Sequence, residues 1–453
     1  MKFCVLTATA AVWLLAACAS ANFNQSMADT NRIAVEFTGG ELALARTHAQ
    51  RSSLQTAAAQ LLTKSLSQTD AVQLAILQSP ALQALLANAW ADAADAAQSG
   101  RIHNPLFTFE RMSLRSAVEL DRLLSVGLLD LLTLVQRQGI AKRRLGQAQW
   151  QLTADVIRGV SEVRAAWVRA VAAQQQLLYA RQVNESAQAS AELAQRMEAV
   201  GNFTRLQHAR QQAFYADAIV QLAYAQQRAA TTREQLVRNL GLTDPQMAQL
   251  KLPEQLPELP SMPRAAEEIS QFAITNRLDI RIAQSEFELA AHRQGLTRIT
   301  SLTDIQAGAR HDTVFDDSAN SPGVRRGYEF DIRLPIFNWG GLQREAMDAR
   351  TLAAANSLEA ALGSAKSTLR DAYAAYRTAY GVSKHFRDEV VPLRKLIADE
   401  NVLRYNGMLI SVFELLADAR EQSLSVISAI DAEQQFWLAD AALRATVLGA
   451  SEK

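Results

Sequence analysis

The sequence predicts a mainly α protein with a small β part, in which long antiparallel coiled-coil helices and four strands are arranged as an internal duplication. Three observations lead there. Ala, Gln and Leu dominate long stretches, whereas Gly (19) and Pro (10) are scarce among 453 residues, a balance that favours helix. Residues 137–198 contain no proline. One pattern of elements also occurs twice, at an offset of about two hundred residues.

The duplication is read from matched segments. Ala71-Val-Gln-Leu-Ala-Ile-Leu-Gln-Ser79, with Leu82 beyond it, is echoed by Glu268-Ile-Ser-Gln-Phe-Ala-Ile-Thr-Asn276 and Ile280. Both lead through a helical stretch to Arg101-Ile102 and Arg298-Ile299. Gly201, in a polar turn, corresponds to Gly407, and each copy closes on Leu-Gly, at Leu240-Gly241 and Leu448-Gly449. Between the copies, the four prolines of 252–263 cannot continue a helix and favour an extended crossing. The expected order is a signal peptide at 1–17, an N-terminal segment at 18–65, a first repeat at 66–251, a Pro-rich crossing at 252–264 and a second repeat at 265–449.

Each repeat reads as a shorter helix, a strand pair, a very long helix, a turn and a second long helix. In the first, Leu145, Leu152, Val156, Val160, Val163, Trp167 and Val171 step by three, four or seven, the seam of a coiled coil or helical barrel. A helix over 137–198 would run for about 90 Å. Gly201-Asn202 supplies the turn, and Leu206 to Leu240 returns antiparallel. In the second repeat Pro392 predicts a kink in the long helix.

The strands are two-faced. From Tyr328 to Ile336 the chain alternates strictly, with Tyr328, Phe330, Ile332, Leu334 and Ile336 on one face and Glu329, Asp331 and Arg333 on the other. Leu302 to Thr313 alternates more weakly, and 316–323 makes the loop between the two. In the first repeat, Phe107 and Phe109 oppose Thr108 and Glu110, and the leucine-rich run Leu123–Leu134 is assigned as a strand by its place in the repeat. Such alternation suits a barrel wall with lipid on one side and water on the other, or a surface hairpin on a soluble core. Four strands cannot close a membrane barrel, and an open edge in lipid is prohibitively costly. Either the strands do not span, or several chains pool them; three chains would give twelve.

The N-terminus reads as a signal peptide, with Lys2 followed by an apolar run through Leu14. The run ends in Leu15-Ala16-Ala17-Cys18, which resembles the bacterial lipobox and makes Cys18 the expected point of lipid attachment; a plain signal with a nearby cut is the alternative. Both cysteines lie in the first 18 residues, so the body of the chain has no disulfide framework. Lys+Arg and Asp+Glu are equal at 46 each, and no global charge attracts nucleic acid. The six histidines are scattered, none at metal-ligand spacing, and no nucleophile elbow, phosphate loop or dinucleotide fingerprint occurs. Nothing points to an enzyme, a metal site or a cofactor.

Together these features resemble the outer-membrane efflux (TolC-like) family, of the lipoprotein type, over about residues 66–449. The most specific patches are Leu334-Pro-Ile-Phe-Asn-Trp-Gly-Gly341, similar to a strand-to-helix junction, and Arg404-Tyr-Asn-Gly-Met-Leu-Ile-Ser-Val-Phe-Glu-Leu-Leu-Ala-Asp-Ala-Arg420, similar to a helix-tip motif. The resemblance implies a homotrimer with a twelve-stranded barrel in the outer membrane and a helical tunnel in the periplasm. There 18–65 would form an N-terminal periplasmic segment. A periplasmic adaptor would dock on the tips and an inner-membrane efflux pump would feed the duct. Tyr328, Phe330, Ile332 and Leu334 would then face outer-membrane lipid. The periplasmic tip or gate would draw on Gly201, Asn202, Tyr405, Gly407, Glu414 and Asp418. Ala417 and Gln207 depart from the family's acidic pattern. A secretion duct for protein or peptide, and a non-conducting coiled-coil scaffold, are the other readings.

Overall fold

The computed structural model describes residues 23–114, 117–267, 269, 273, 277–316 and 322–450. The signal peptide, Cys18, most of 268–276 and the loop residues 317–321 lie outside them. The chain forms two compact units, and both draw on both halves of the sequence. One contains Asn88–Gln151 and Ile280–Gly363; the other contains Met27–Ala87, Leu152–Asp279 and Ser364 onward.

The first unit holds a four-stranded antiparallel sheet in the order β1-β2-β3-β4, with β1 Leu106–Leu114, β2 Ala117–Gly127, β3 Ile305–Asp316 and β4 Gly323–Ile332. Two expectations are corrected here. The Leu123–Leu134 run is a strand only to Gly127; Leu128–Leu132 is a short helix, α5. A continuous apolar run has no period, and here the local polar groups decide. Asp130 in the first turn accepts from Arg137 at 2.5 Å and pairs with His103 at 2.5 Å, while Thr133 donates its N–H to the Leu129 carbonyl at 3.0 Å. The second correction concerns Leu334 and Ile336, which lie beyond β4. Pro335 has no N–H for the ladder, and the Ile336 N–H turns back on the Leu334 carbonyl at 2.9 Å, closing a three-residue turn.

The second unit is helical. Its N-terminal helices are α1 Phe23–Thr38, α2 His48–Leu61 and α3 Gln68–Gln78. Next, α4 Pro80–Ser99 begins at a proline, so the first expected helix is broken at Ser79, whose backbone is extended as a residue before proline prefers. The long helices are α6 Leu134–Ala199, which supplies residues to both units, and α7 Arg205–Leu240. Asp244–Gln249 is the short α8, and Leu278–Thr300 is α9, which belongs to the first unit from Ile280 onward. The second half adds α10 Gly341–His385, which like α6 supplies residues to both units, α11 Val391–Asn406 and α12 Val412–Val447. Leu152, Val156, Val160, Val163, Trp167 and Val171 are all buried, so the seam read from their spacing is core. The Trp167 indole N–H donates to the Leu66 carbonyl at 2.8 Å. Between α10 and α11 the turn Phe386–Val390 widens to a π-helix, in which the Val391 N–H reaches the Phe386 carbonyl. Pro392 follows at the start of α11; it lacks an N–H and its ring would crowd the carbonyl four residues back, so the distortion falls where the sequence places it.

The crossing at 252–264 has neither helix nor strand, and side chains from the helices serve its carbonyls. Trp437 donates to Pro257 at 3.1 Å and Tyr380 to Ser261 at 2.9 Å. Phe436 lies behind these donors, with the Tyr376 ring at 5.5 Å and the Tyr380 ring at 5.8 Å. Nearby, the half-hidden Arg164 donates to the Phe37 carbonyl, and burial, aided by the charge of Arg444, pulls its guanidinium down to about 10.

Candidate functional site

Two places carry the residues singled out from sequence, and they lie in different units.

In the sheet, antiparallel register makes each face continuous. Tyr328, Phe330 and Ile332 share one face of β4, opposite Ala309, Ala307 and Ile305 of β3. Phe107, Leu124 and Val126 fall on the same face by their pairing. These side chains are open: Tyr328 is 87% and Phe330 66% exposed. The opposite face is charged and internally paired. Arg310 donates to Asp121 at 2.7 Å, to Asp312 at 2.9 Å and to Glu329 at 3.5 Å, and Arg325 meets Glu119. Carboxylate oxygens of Glu119, Asp121 and Asp312 lie within 4.8 Å of one another, a spacing open to a cation. Arg310 and Arg325 already balance that charge, so a metal would have to displace them. The cluster is not evident from sequence, because Asp121 and Arg310 belong to different repeats and meet only through the β2–β3 register.

At the tip, both helix pairs turn in the same way. Below Gly201 the Asn202 N–H reaches the Met197 carbonyl at 2.9 Å and the Gly201 N–H reaches Glu198 at 2.9 Å. In the second turn, Leu409 reaches Arg404 at 2.9 Å and Met408 reaches Tyr405 at 2.9 Å. These are Schellman motifs, whose left-handed position is Gly201 (φ 79°) in one and Met408 (φ 59°) in the other. The expected match of Gly201 to Gly407 is therefore off by one: Gly407 has φ −78° and ends the helix, while Met408 takes the left-handed residue's place. Met408 bears that conformation with a side chain 94% exposed. Met408→Gly is expected to stabilise the tip by about 1 kcal/mol by removing the Cβ clash. Slower amide exchange at Leu409 checks this, and unchanged exchange would rule out the strain.

Each return helix opens on a capping box. Thr204 caps α7 with Gln207, whose Oε1 accepts from the Thr204 N–H at 2.9 Å; Ser411 caps α12 with Glu414, whose Oε2 accepts from the Ser411 N–H at 3.1 Å. Gln207 and Glu414 thus hold the same post, and a cap accepts either amide or acid. Asp418 accepts from Asn401 Nδ2, tying α12 to α11. The tip acids are accordingly engaged within their own chain. The ring of Phe203 meets that of Phe413 at 4.2 Å, which joins the two tips, and Arg420 stacks over Phe214 at 4.6 Å. Sequence reasoning missed these caps, although the S/T-x-x-E/Q spacing would have signalled them. Around them Val200, Leu206, Met408 and Leu409 are exposed.

Compared with solved structures, the chain is similar to a membrane protein from Pseudomonas aeruginosa, with TM-score 0.66 and 20% identity over 84% of this chain and 93% of that one. It is similar to the outer membrane protein VceC of Vibrio cholerae, with TM-score 0.66 and 16% identity over 85% and 97%. The Campylobacter jejuni CmeC outer membrane channel matches with TM-score 0.66 and 14% identity over 93% and 92%. The chain has the TolC-like fold. No protein-family model matches the sequence, and no curated protein matches it either. In the TolC-like fold the two-faced sheet and the paired helix tips are the places that set it apart from an ordinary helical bundle. Among the described residues, no helix is long and apolar enough to cross a membrane.

Proposed function

We propose that this chain is the outer-membrane channel subunit of a tripartite efflux system, passively exporting small molecules or ions as a homotrimer. The observation that carries the reading is the sheet: among the described residues β1 and β4 are both free edges, with large apolar side chains exposed on one face and paired charges on the other. Backbone groups at free edges cannot lie in hydrocarbon unpaired, so joining β4 of one copy to β1 of the next is the arrangement that suits lipid. Three copies give twelve strands, within the range of known barrels.

The helices support the same reading. Leu393, Leu396 and Leu403 of α11 lie at steps of three and seven, and all are more than half exposed, a stripe that further copies would cover. The exposed apolar residues Val200, Leu206, Met408 and Leu409 are where a periplasmic adaptor would dock, and through it an inner-membrane pump would feed the duct. Gly201, Asn202, Tyr405 and Gly407 shape that tip. For Glu414 and Asp418 to form a periplasmic constriction, they would first have to leave the cap and the Asn401 bond. Cys18 is proposed as the lipid anchor.

Conductance of the purified full chain in planar bilayers tests the proposal. Discrete steps consistent with a single trimeric pore are expected. A folded trimer that inserts and never conducts, even with Glu414 and Asp418 replaced by Ala, would leave the chain a scaffold.

A further inference from the structure

The two faces of the sheet carry charge differently. On the polar face the arginines are matched: Arg310 with Asp121, Asp312 and Glu329, and Arg325 with Glu119. The apolar face carries Arg111, Arg122, His311 and Arg326, and no Asp or Glu alternates onto it along β1 to β4. These four form a row. His311 pairs with Arg326, the same register sets Arg122 opposite His311, and Arg111 sits one row further along, opposite Leu120. Among the described residues none of the four makes an ion pair; Arg122 gives one N–H to the Thr313 hydroxyl at 3.3 Å.

The position of the row is informative. Arg326 lies six residues before Ile332 on β4, about 20 Å along the strand. The face between is apolar: Leu124, Ala309, Tyr328, Ala307, Phe330 and Ile332. Past the strand's end Phe337 is 99% exposed and Trp339 is 65% exposed. The band thus ends, at the Arg326 side, in a line of cations without carboxylates. An arginine facing hydrocarbon is costly, and the cost falls near the headgroups. Joining copies through β1 and β4 adds no acid to this face, because every copy brings the same strands. The guanidinium fork matches the oxygens of a phosphate.

We propose that Arg111, Arg122, His311 and Arg326 bind the phosphate groups of anionic lipid at one edge of the apolar band. The proposal rests on the barrel reading above. The test is reconstitution of the full chain in phosphatidylcholine vesicles with and without phosphatidylglycerol, followed by measurement of the lipid that stays bound to the extracted trimer. Phosphatidylglycerol should be retained in preference. Arg122→Gln with Arg326→Gln should lower that preference roughly 25-fold, at about fivefold per arginine near an anionic surface. Arg325→Gln, which removes one arginine charge from the polar face, should leave it unchanged. A trimer that conducts in phosphatidylcholine but shows no preference, or a double variant with the wild-type preference, would overturn the lipid site alone. A chain that inserts into neither vesicle would overturn the barrel reading and the lipid site together.

Discussion

Gly241→Ala should be among the most damaging single-methyl changes in this chain, costing about 2–5 kcal/mol when a left-handed backbone and an overpacked contact are combined. Gly241 closes α7 with φ 68°, its N–H on the Arg238 carbonyl at 3.1 Å and the Leu242 N–H on Val237 at 3.2 Å. A Cβ there would stand 2.3 Å from Pro80 Cδ and 3.0 Å from Ser79 Cα. Neither neighbour is the flexible end of a side chain, and both belong to the break between α3 and α4. The whole docking of α7 on that break would have to shift. Gly449 ends α12 in the same way at φ 71°, but the nearest atom to its Cβ would be Asp279 Oδ1 at 2.3 Å, in a carboxylate held by Arg277. That carboxylate cannot swing aside without breaking its pair with Arg277, and the Asp279 backbone nitrogen would also lie at 3.0 Å, so Gly449→Ala should cost about as much as Gly241→Ala. Gly139 in α6 has nothing within 4 Å of its Cβ position, and Gly139→Ala should gain about 0.5–1 kcal/mol. Denaturant unfolding of the three variants checks the order. Equal stability of Gly241→Ala and wild type would mean that the Ser79–Pro80 contact is not made.

These closing glycines were legible as a repeated Leu-Gly, although what they touch was not. The same division holds elsewhere. The absence of proline over 137–198 and the steps from Leu152 to Val171 sufficed for α6, because helix and burial share one period there. Strict alternation sufficed for β4 as far as Ile332, but the pattern runs on through Leu334 and Ile336 while the ladder stops, since Pro335 removes a donor without disturbing the period. The leucines after Gly127 had no period to read. At the tip, Gly407 was matched to Gly201 as the turn glycine, and the chain instead places its left-handed residue at Met408 one position later, which no composition rule requires. Glu414 was conspicuous as an acid, whereas its bond to the Ser411 N–H makes it first a helix cap. The row of Arg122, His311 and Arg326 could not be read at all before the register was known, because its members are distant in sequence and adjacent only across strands.

Phe330→Arg is the substitution that separates a lipid-facing strand from a hairpin in water. It should cost about 2–4 kcal/mol of folding free energy in a phospholipid bilayer if residue 330 lies near mid-membrane. Arg326 already occupies the same face of the same strand, four residues away, or about 13 Å along it. The cost should therefore depend on depth: largest at Phe330 and smaller at Tyr328, toward the native arginine at 326. Gln306 supplies the control, since it pairs with Asp331 on the polar face beside the Ala307–Phe330 row. Gln306→Arg should be close to neutral, because it faces water in a barrel and in a surface hairpin alike. Folding of each variant into vesicles from denaturant gives the comparison. A cost at Phe330 and Tyr328 that falls toward Arg326, with none at Gln306, is the signature of a hydrocarbon slab crossed at an angle by β4. If Phe330→Arg is as stable as Gln306→Arg, this face meets water or protein, and the open edges of β1 and β4 must be covered by something other than a barrel.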